Sequence, residues 1–362
     1  MTYTENMRGK LLKILDRANV DKVLIINTGI IDSNFLYVTG FTSGVFEDTA
    51  LVIERSGETL ITSALEYETA IEQKPNWMKV LKVNNGKEFE SALQKSVNGK
   101  RIGINGAFLP YKYVRFIKRL GASTIIDISE EFAKTRLVKD IDELSKIKAA
   151  NRIVKKAFKE IPRYFHKGVT EKEIAARFDY LMMKNGASGP SFQTIVSFDK
   201  NSALPHHMPD DTKLEPNSIV LIDAGAKYEN YCSDVTRTFI FKPNKKTSKY
   251  RRIIDIYETV KNAQTLALKS VKPDVEASVP HINAESYINT AKGGIYKGTF
   301  IHSLGHSIGI DVHDGMGLSR GANFKLKPGM VFSDEPGIYI EGFGGVRIED
   351  DVVVTENGAV VL

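Results

Sequence analysis

SIVLIDAGAKYENYCSDVTRTFIF, residues 218–241, sets two strand patterns around a short polar connection. Ser218–Asp223 is an apolar run ending in a carboxylate, and Asp234–Phe241 is rich in Thr, Val, Phe and Ile, residues that suit a pleated strand. The connection AGAKYENYCS is short enough for a hairpin. With the turn centred on Tyr228-Glu229, Asp223 and Asp234 lie directly opposite each other on paired strands. Like charges facing each other destabilise a sheet, and a cation held between them removes the penalty. Taken alone, the pair also fits ordinary turn or edge carboxylates.

Three further contexts supply the same chemistry. In GVRIEDD (345–351) side chains alternate, so Val346, Ile348 and Asp350 share one face and Arg347, Glu349 and Asp351 the other. A guanidinium beside Glu349 keeps that carboxylate ionised and oriented, as a metal ligand requires; a surface ion pair is the plainer alternative. HSLGHSIGIDVHD (302–314) holds His302, His306 and His313, three of the seven histidines in the chain. Gly305 and Gly309 let backbone approach His306 closely from either side. In SDEPGIY (333–339) the Pro-Gly pair stops a strand and leaves Glu335 at its end. Four carboxylates and one imidazole form a donor set for two hard or borderline divalent cations. Two such ions roughly 3.5 Å apart share and acidify one water.

These five contexts, in this order over about residues 136–362, resemble the metallopeptidase family of the pita-bread fold, which holds methionine aminopeptidase, aminopeptidase P and prolidase. The resemblance implies that Asp223 binds one metal, that Asp234 and Glu349 bridge both, and that His306 and Glu335 bind the other. It implies catalytic roles for His206, in SALPHHMP (202–209), for His313, and for Glu335 as the proton carrier, with Arg347 and Thr236 standing behind the ligands. His207 is the alternative to His206, His302 is a further substrate-facing candidate, and Arg320, in the loop between His313 and Glu335, is a candidate cation for a dipeptide carboxylate. Two residues depart from the family pattern, Asp334 beside Glu335 and Asp314 after His313; alternation turns Asp334 to the opposite face, and neither change removes a ligand. The implied activity is hydrolysis of the Xaa-Pro bond of dipeptides, with aminopeptidase P action on longer peptides as the alternative. A pita-bread module that only binds is a third reading, and it predicts lost ligands where this chain keeps all five. The implied cofactors are two divalent ions per chain, Mn favoured by the oxygen-rich set, with Co, Fe or Zn as substitutes. The implied partners are proline-containing di- or oligopeptides and a second copy in a homodimer.

The rest of the chain agrees. With 362 residues and 42% hydrophobic content it can bury two cores. We expect a mixed α/β (α+β) architecture, with an N-terminal creatinase-like α/β domain over 1–130 and a catalytic pita-bread domain over 131–362. The first part alternates strand and helix: DKVLIIN, then EDTALVIERSGETLITSALEYETAIEQ as strand, turn, strand and helix, then MKVLKV, EFESALQKSV and KRIGIN. NFLYVTGFTSG resembles the start of the extra domain of prolidases and aminopeptidase P. The second part opens with a helix whose apolar face includes Leu144, Ile147, Val154 and Phe158. Next come a helix capped by Thr170 with Glu173 and a long helix over about 248–270. The net charge is +6, but its basic residues are scattered without a binding motif, so no nucleic-acid partner is expected. No apolar run of membrane-spanning length and no signal core occurs, and the single cysteine, Cys232, suits a reducing, cytoplasmic compartment as a packing residue.

Overall fold

The computed structural model describes residues 3–362, which form two compact units, residues 3–136 and 137–362.

The first unit is built on a six-stranded sheet: β1 (Lys22–Asn27), β2 (Thr49–Glu54), β3 (Gly57–Ser63), β4 (Met78–Val83), β5 (Arg101–Ile104) and β6 (Thr124–Asp127), in the order β4-β3-β2-β1-β5-β6. Only β2 runs against its neighbours. It joins β3 through the two-residue connection Arg55-Ser56, with Glu54 paired to Gly57, whose φ of 150° favours glycine. The parallel strands need crossovers, and helices supply them: Ala64–Gln73 leads from β3 to β4 and Gly86–Val97 from β4 to β5. Leu24, Ile26, Val52, Leu93, Val97 and Ile117 meet in the core between sheet and helices.

The second unit repeats one theme twice. In its first half the helices Ile141–Glu160 and Glu171–Lys184 pack on an antiparallel sheet of Ile195–Phe198, Ile219–Ala224 and Val235–Ile240. Both helices start with a full capping box, Asp140 with Glu143 and Thr170 with Glu173. In its second half the helices Ser248–Ser270 and Ser278–Thr290 pack on the strands around Val331–Asp334 and Asp350–Thr355. Phe158, Phe178, Val220 and Ile222 fill the first core, and Ile256, Val260, Phe332 and Val352 fill the second.

The hairpin register differs from the sequence expectation by two residues. Glu229 and Asn230 adopt φ of 45° and 71°, so they form the turn, and Tyr228 pairs with Tyr231. Two consecutive left-handed residues give a tight turn matched to strand twist. Asp223 therefore faces Thr236, not Asp234. The two-residue slip preserves parity, so Asp223 and Asp234 become diagonal neighbours on one face rather than direct partners.

Candidate metal centre

The site forms where the two halves of the second unit bring their strand ends together. Asp223 is near the end of its strand, and Asp234 immediately precedes the next. Glu335 follows Val331–Asp334, and Glu349 lies between Gly344–Arg347 and Asp350–Thr355. His306 Nε2 is 3.5 Å from both Asp234 Oδ2 and Glu335 Oε1. One donor atom each from Asp234, His306 and Glu349 falls within 4.8 Å of the others. A cavity of about 380 Å³ opens beside them, lined by Asp223, His306, Glu335 and Arg347 together with His206, His302 and His313.

Each donor is aimed by its surroundings. His306 Nδ1 donates to the Val312 carbonyl at 2.9 Å, which leaves Nε2 as a lone-pair donor toward the carboxylates. Ser333 Oγ accepts from the His306 amide at 3.0 Å and donates to Glu335 Oε1 at 3.1 Å. Gly305 is required here, because a Cβ would stand 1.9 Å from the Ser333 carbonyl oxygen. Gly309 has the same role beside Asp314, where a Cβ would meet Oδ2 at 1.8 Å.

Arg347 does not pair with Glu349, as strand alternation suggested. Its Nη2 bonds Asp223 Oδ2 at 2.7 Å and its Nε bonds Thr236 Oγ1 at 3.1 Å. Thr236 passes the link on, donating to Glu349 Oε2 at 2.6 Å. The strand ends at Arg347, so the chain turns before Glu349 and simple alternation fails there.

Tyr339 is the residue that sequence reasoning missed. Gly337 faces Arg347 across the strand pair, which places Tyr339 on the Arg347 face one pleat along. Its hydroxyl accepts from Arg347 Nη1 at 2.8 Å and donates to His302 Nε2 at 2.8 Å. His302 Nδ1 donates to the Ser303 carbonyl at 2.7 Å, so both of its ring nitrogens are taken and it presents its ring to the cavity. Burial, followed by the nearby Arg347 charge, pushes His302 down to about 4.

Two other candidates face elsewhere. His207 Nε2 lies 2.8 Å from the buried Glu171 carboxylate, which also accepts from the Phe198 and Asp210 amides. Arg320 is exposed and paired with Glu285, and the cavity is lined by its neighbour Ser319 instead. Asp334 is buried opposite Asp350, with no hydrogen-bond partner for either carboxylate oxygen.

The donor chemistry fits two cations. Asp223 Oδ1 and Asp234 Oδ1 are buried without hydrogen-bond partners. Burial, reinforced by neighbouring carboxylates, raises Asp234 and Glu349 well above the usual range and lifts Glu335 to about 8. So many acidic groups in one largely buried site repel each other, and bound cations would relieve that repulsion. Burial and the adjacent His313 push His306 down to about 4, so it stands neutral, as a ligand must.

The sequence profile of metallopeptidase family M24 matches residues 145–356, and that of the creatinase/prolidase N-terminal domain matches residues 7–138. The chain is 35% identical to a Xaa-Pro dipeptidase of Pyrococcus furiosus over 352 residues, which covers 97% of this chain and 95% of that one. Among solved structures it superposes on a Xaa-Pro dipeptidase from Bacillus anthracis with TM-score 0.88 at 30% identity, covering 99% and 96% of the two chains. It also superposes on an X-Pro aminopeptidase from Thermotoga maritima with TM-score 0.87 at 34% identity, covering 96% and 97%.

Proposed function

The chain belongs to metallopeptidase family M24, and from that membership and the donor set we propose that it hydrolyses the Xaa-Pro bond of dipeptides. The observation that carries the proposal is one cavity lined by Asp223, His306 and Glu335, with Asp234 and Glu349 grouped behind it around His306 and two orphaned carboxylate oxygens, on Asp223 and Asp234. Asp223, Asp234, His306, Glu335 and Glu349 are the residues that would hold the cations. Two divalent cations bound in this set would supply an acidified water and a Lewis acid for the scissile carbonyl. Manganese is the first metal to test, because four of the five ligands are carboxylates.

The protein's own groups account for the proton traffic. An Xaa-Pro bond is a tertiary amide without an N–H, so its prolyl nitrogen must receive a proton as it leaves. Glu335 takes a proton from the attacking water and returns it to that nitrogen. His313 is held neutral, chiefly by burial, and with His206 it donates to the oxygen on which charge develops. Arg347 and Thr236 fix the orientation of Asp223 and Glu349.

A cavity of about 380 Å³ has room for a dipeptide. One observation favours aminopeptidase action on longer peptides instead: Arg320 is bound to Glu285 and Arg347 to Asp223, so neither is free to receive a dipeptide carboxylate. The Mn-loaded protein should be assayed on an Xaa-Pro dipeptide and on the same peptide extended at its C-terminus. Higher kcat/KM on the dipeptide supports the proposal, and higher kcat/KM on the extended peptide replaces it with the aminopeptidase reading. A cytoplasmic, homodimeric enzyme completes the proposal. The lone buried cysteine supports the compartment, and the dimer is open to a sedimentation measurement.

A further inference from the structure

Lys139 is buried, its side chain fully enclosed, just ahead of the helix that begins at Ile141. Its ammonium donates to Ser307 Oγ at 2.9 Å, lies 3.3 Å from Asp314 Oδ2 and reaches the Leu137 carbonyl at 3.4 Å. Ser307 is the residue after His306, and Asp314 is the residue after His313. We propose that Lys139 is a positioning residue that sets the spacing of His306 and His313 by holding the neighbour of each on one cation. This rests on the reading of those two histidines given above.

The loop between the histidines closes around that cation. The Asp314 amide donates to the Ser307 carbonyl at 2.8 Å, and the Asp314 carboxylate fills the space that a side chain at Gly309 would need. His306 and His313 then meet edge to face with ring centres 4.1 Å apart. The backbone of Lys139 is tied as well. Its amide donates to the Gly329 carbonyl at 2.9 Å, and Val138 bridges Met330, where the chain enters the strand leading to Glu335. One residue therefore joins the histidine loop to the glutamate strand. Burying an ammonium is costly, and a good ion-pair geometry is worth more as a fix on register than as stability. A methionine fills the same space but aims neither neighbour.

The test compares wild type, Lys139→Met and Lys139→Met/Asp314→Asn. The readouts are the visible spectrum of the Co(II)-loaded protein and the separate kcat and KM of the Mn-loaded protein on an Xaa-Pro dipeptide. Because His306 is a ligand, its displacement alters the Co(II) spectrum. A misplacement of about 1 Å costs on the order of 10²-fold in kcat, with KM within about 3-fold if substrate binding itself is spared. The double variant removes both buried charges and keeps the fold accessible should the single variant fail to fold. We expect an altered spectrum and lowered kcat in both. A double variant with wild-type spectrum and kcat overturns the proposal, since Lys139 then only balances Asp314. A single variant with both unchanged overturns it too. Wild-type protein that takes up no Co(II) overturns the metal-site reading and this proposal together.

Discussion

Glu335 differs from its fellow acidic residues in what it touches: Ser333 Oγ donates to one of its oxygens, and His306 Nε2 lies 3.5 Å from the same atom. Replacing it with glutamine keeps the shape and one acceptor oxygen but removes the proton carrier. Glu335→Gln should lower kcat by about 10²–10⁴-fold, with metal content measured in the same sample. Near-normal turnover with both metals bound would assign the proton to another group. Thr236 offers a milder test, since its hydroxyl accepts from Arg347 Nε and donates to Glu349 Oε2. Thr236→Val leaves both buried partners short of one bond, a loss of about 1–3 kcal/mol in stability. Metal affinity should fall about 10–100-fold, as for other groups that orient ligands from behind. Calorimetric melting and metal titration read the two effects separately.

At the scale of strands and turns, the site depends on a backbone approach at Gly305 too close for any side chain there. Gly305→Ala must push the His306 strand away from the Ser333 carbonyl. The expected loss is about 1–3 kcal/mol from overpacking, with metal binding falling further because His306 and Glu335 separate; retention of both metals at full affinity would refute this. Much of this level was legible in the sequence. The Thr170–Glu173 capping box, the helix over 248–270 and the strand–turn–strand of 49–63 follow from local spacing and turn chemistry. The hairpin register was not legible, because Glu229 and Asn230 carry no glycine to announce a left-handed pair. The Arg347–Asp223 pair was also out of reach. It joins residues 124 positions apart, and no local pattern encodes which of several carboxylates an arginine will meet. Tyr339 was hidden for the same reason, since its significance lies wholly in Arg347 and His302.

For the molecule as a whole, the acidic centre makes stability depend on pH in a way that metals should cancel. Glu335 in the folded, metal-free chain keeps its proton up to about 8, whereas a solvent-exposed glutamate loses it near 4.5. Asp234 and Glu349 are shifted in the same direction by burial. The folded form therefore binds more protons than the unfolded form, and this contribution is whole below about 4.5 and lost as pH rises through 8. His302 and His306 act oppositely: burial holds them near 4 rather than 6.5, so stability falls as pH drops below 6.5. Metal-stripped protein should melt at a higher temperature at pH 7 than at pH 9, and the gain on adding metal should be larger at pH 9. Parallel melting curves with and without chelator across that range would count against a carboxylate-rich metal centre.

Cys232 makes local unfolding beside the metal centre directly measurable. The chain has no other thiol, and this one is buried two residues from Asp234, bonded to the Ile310 carbonyl at 3.2 Å and pushed up to about 12 by burial. A maleimide or disulfide reagent therefore finds nothing to react with until this hairpin comes apart. The labelling rate is a stopwatch for exposure of the segment that carries Asp234. Loading the metals should slow it, and the factor of slowing gives the coupling between ion occupancy and local opening, with no probe engineered into the chain.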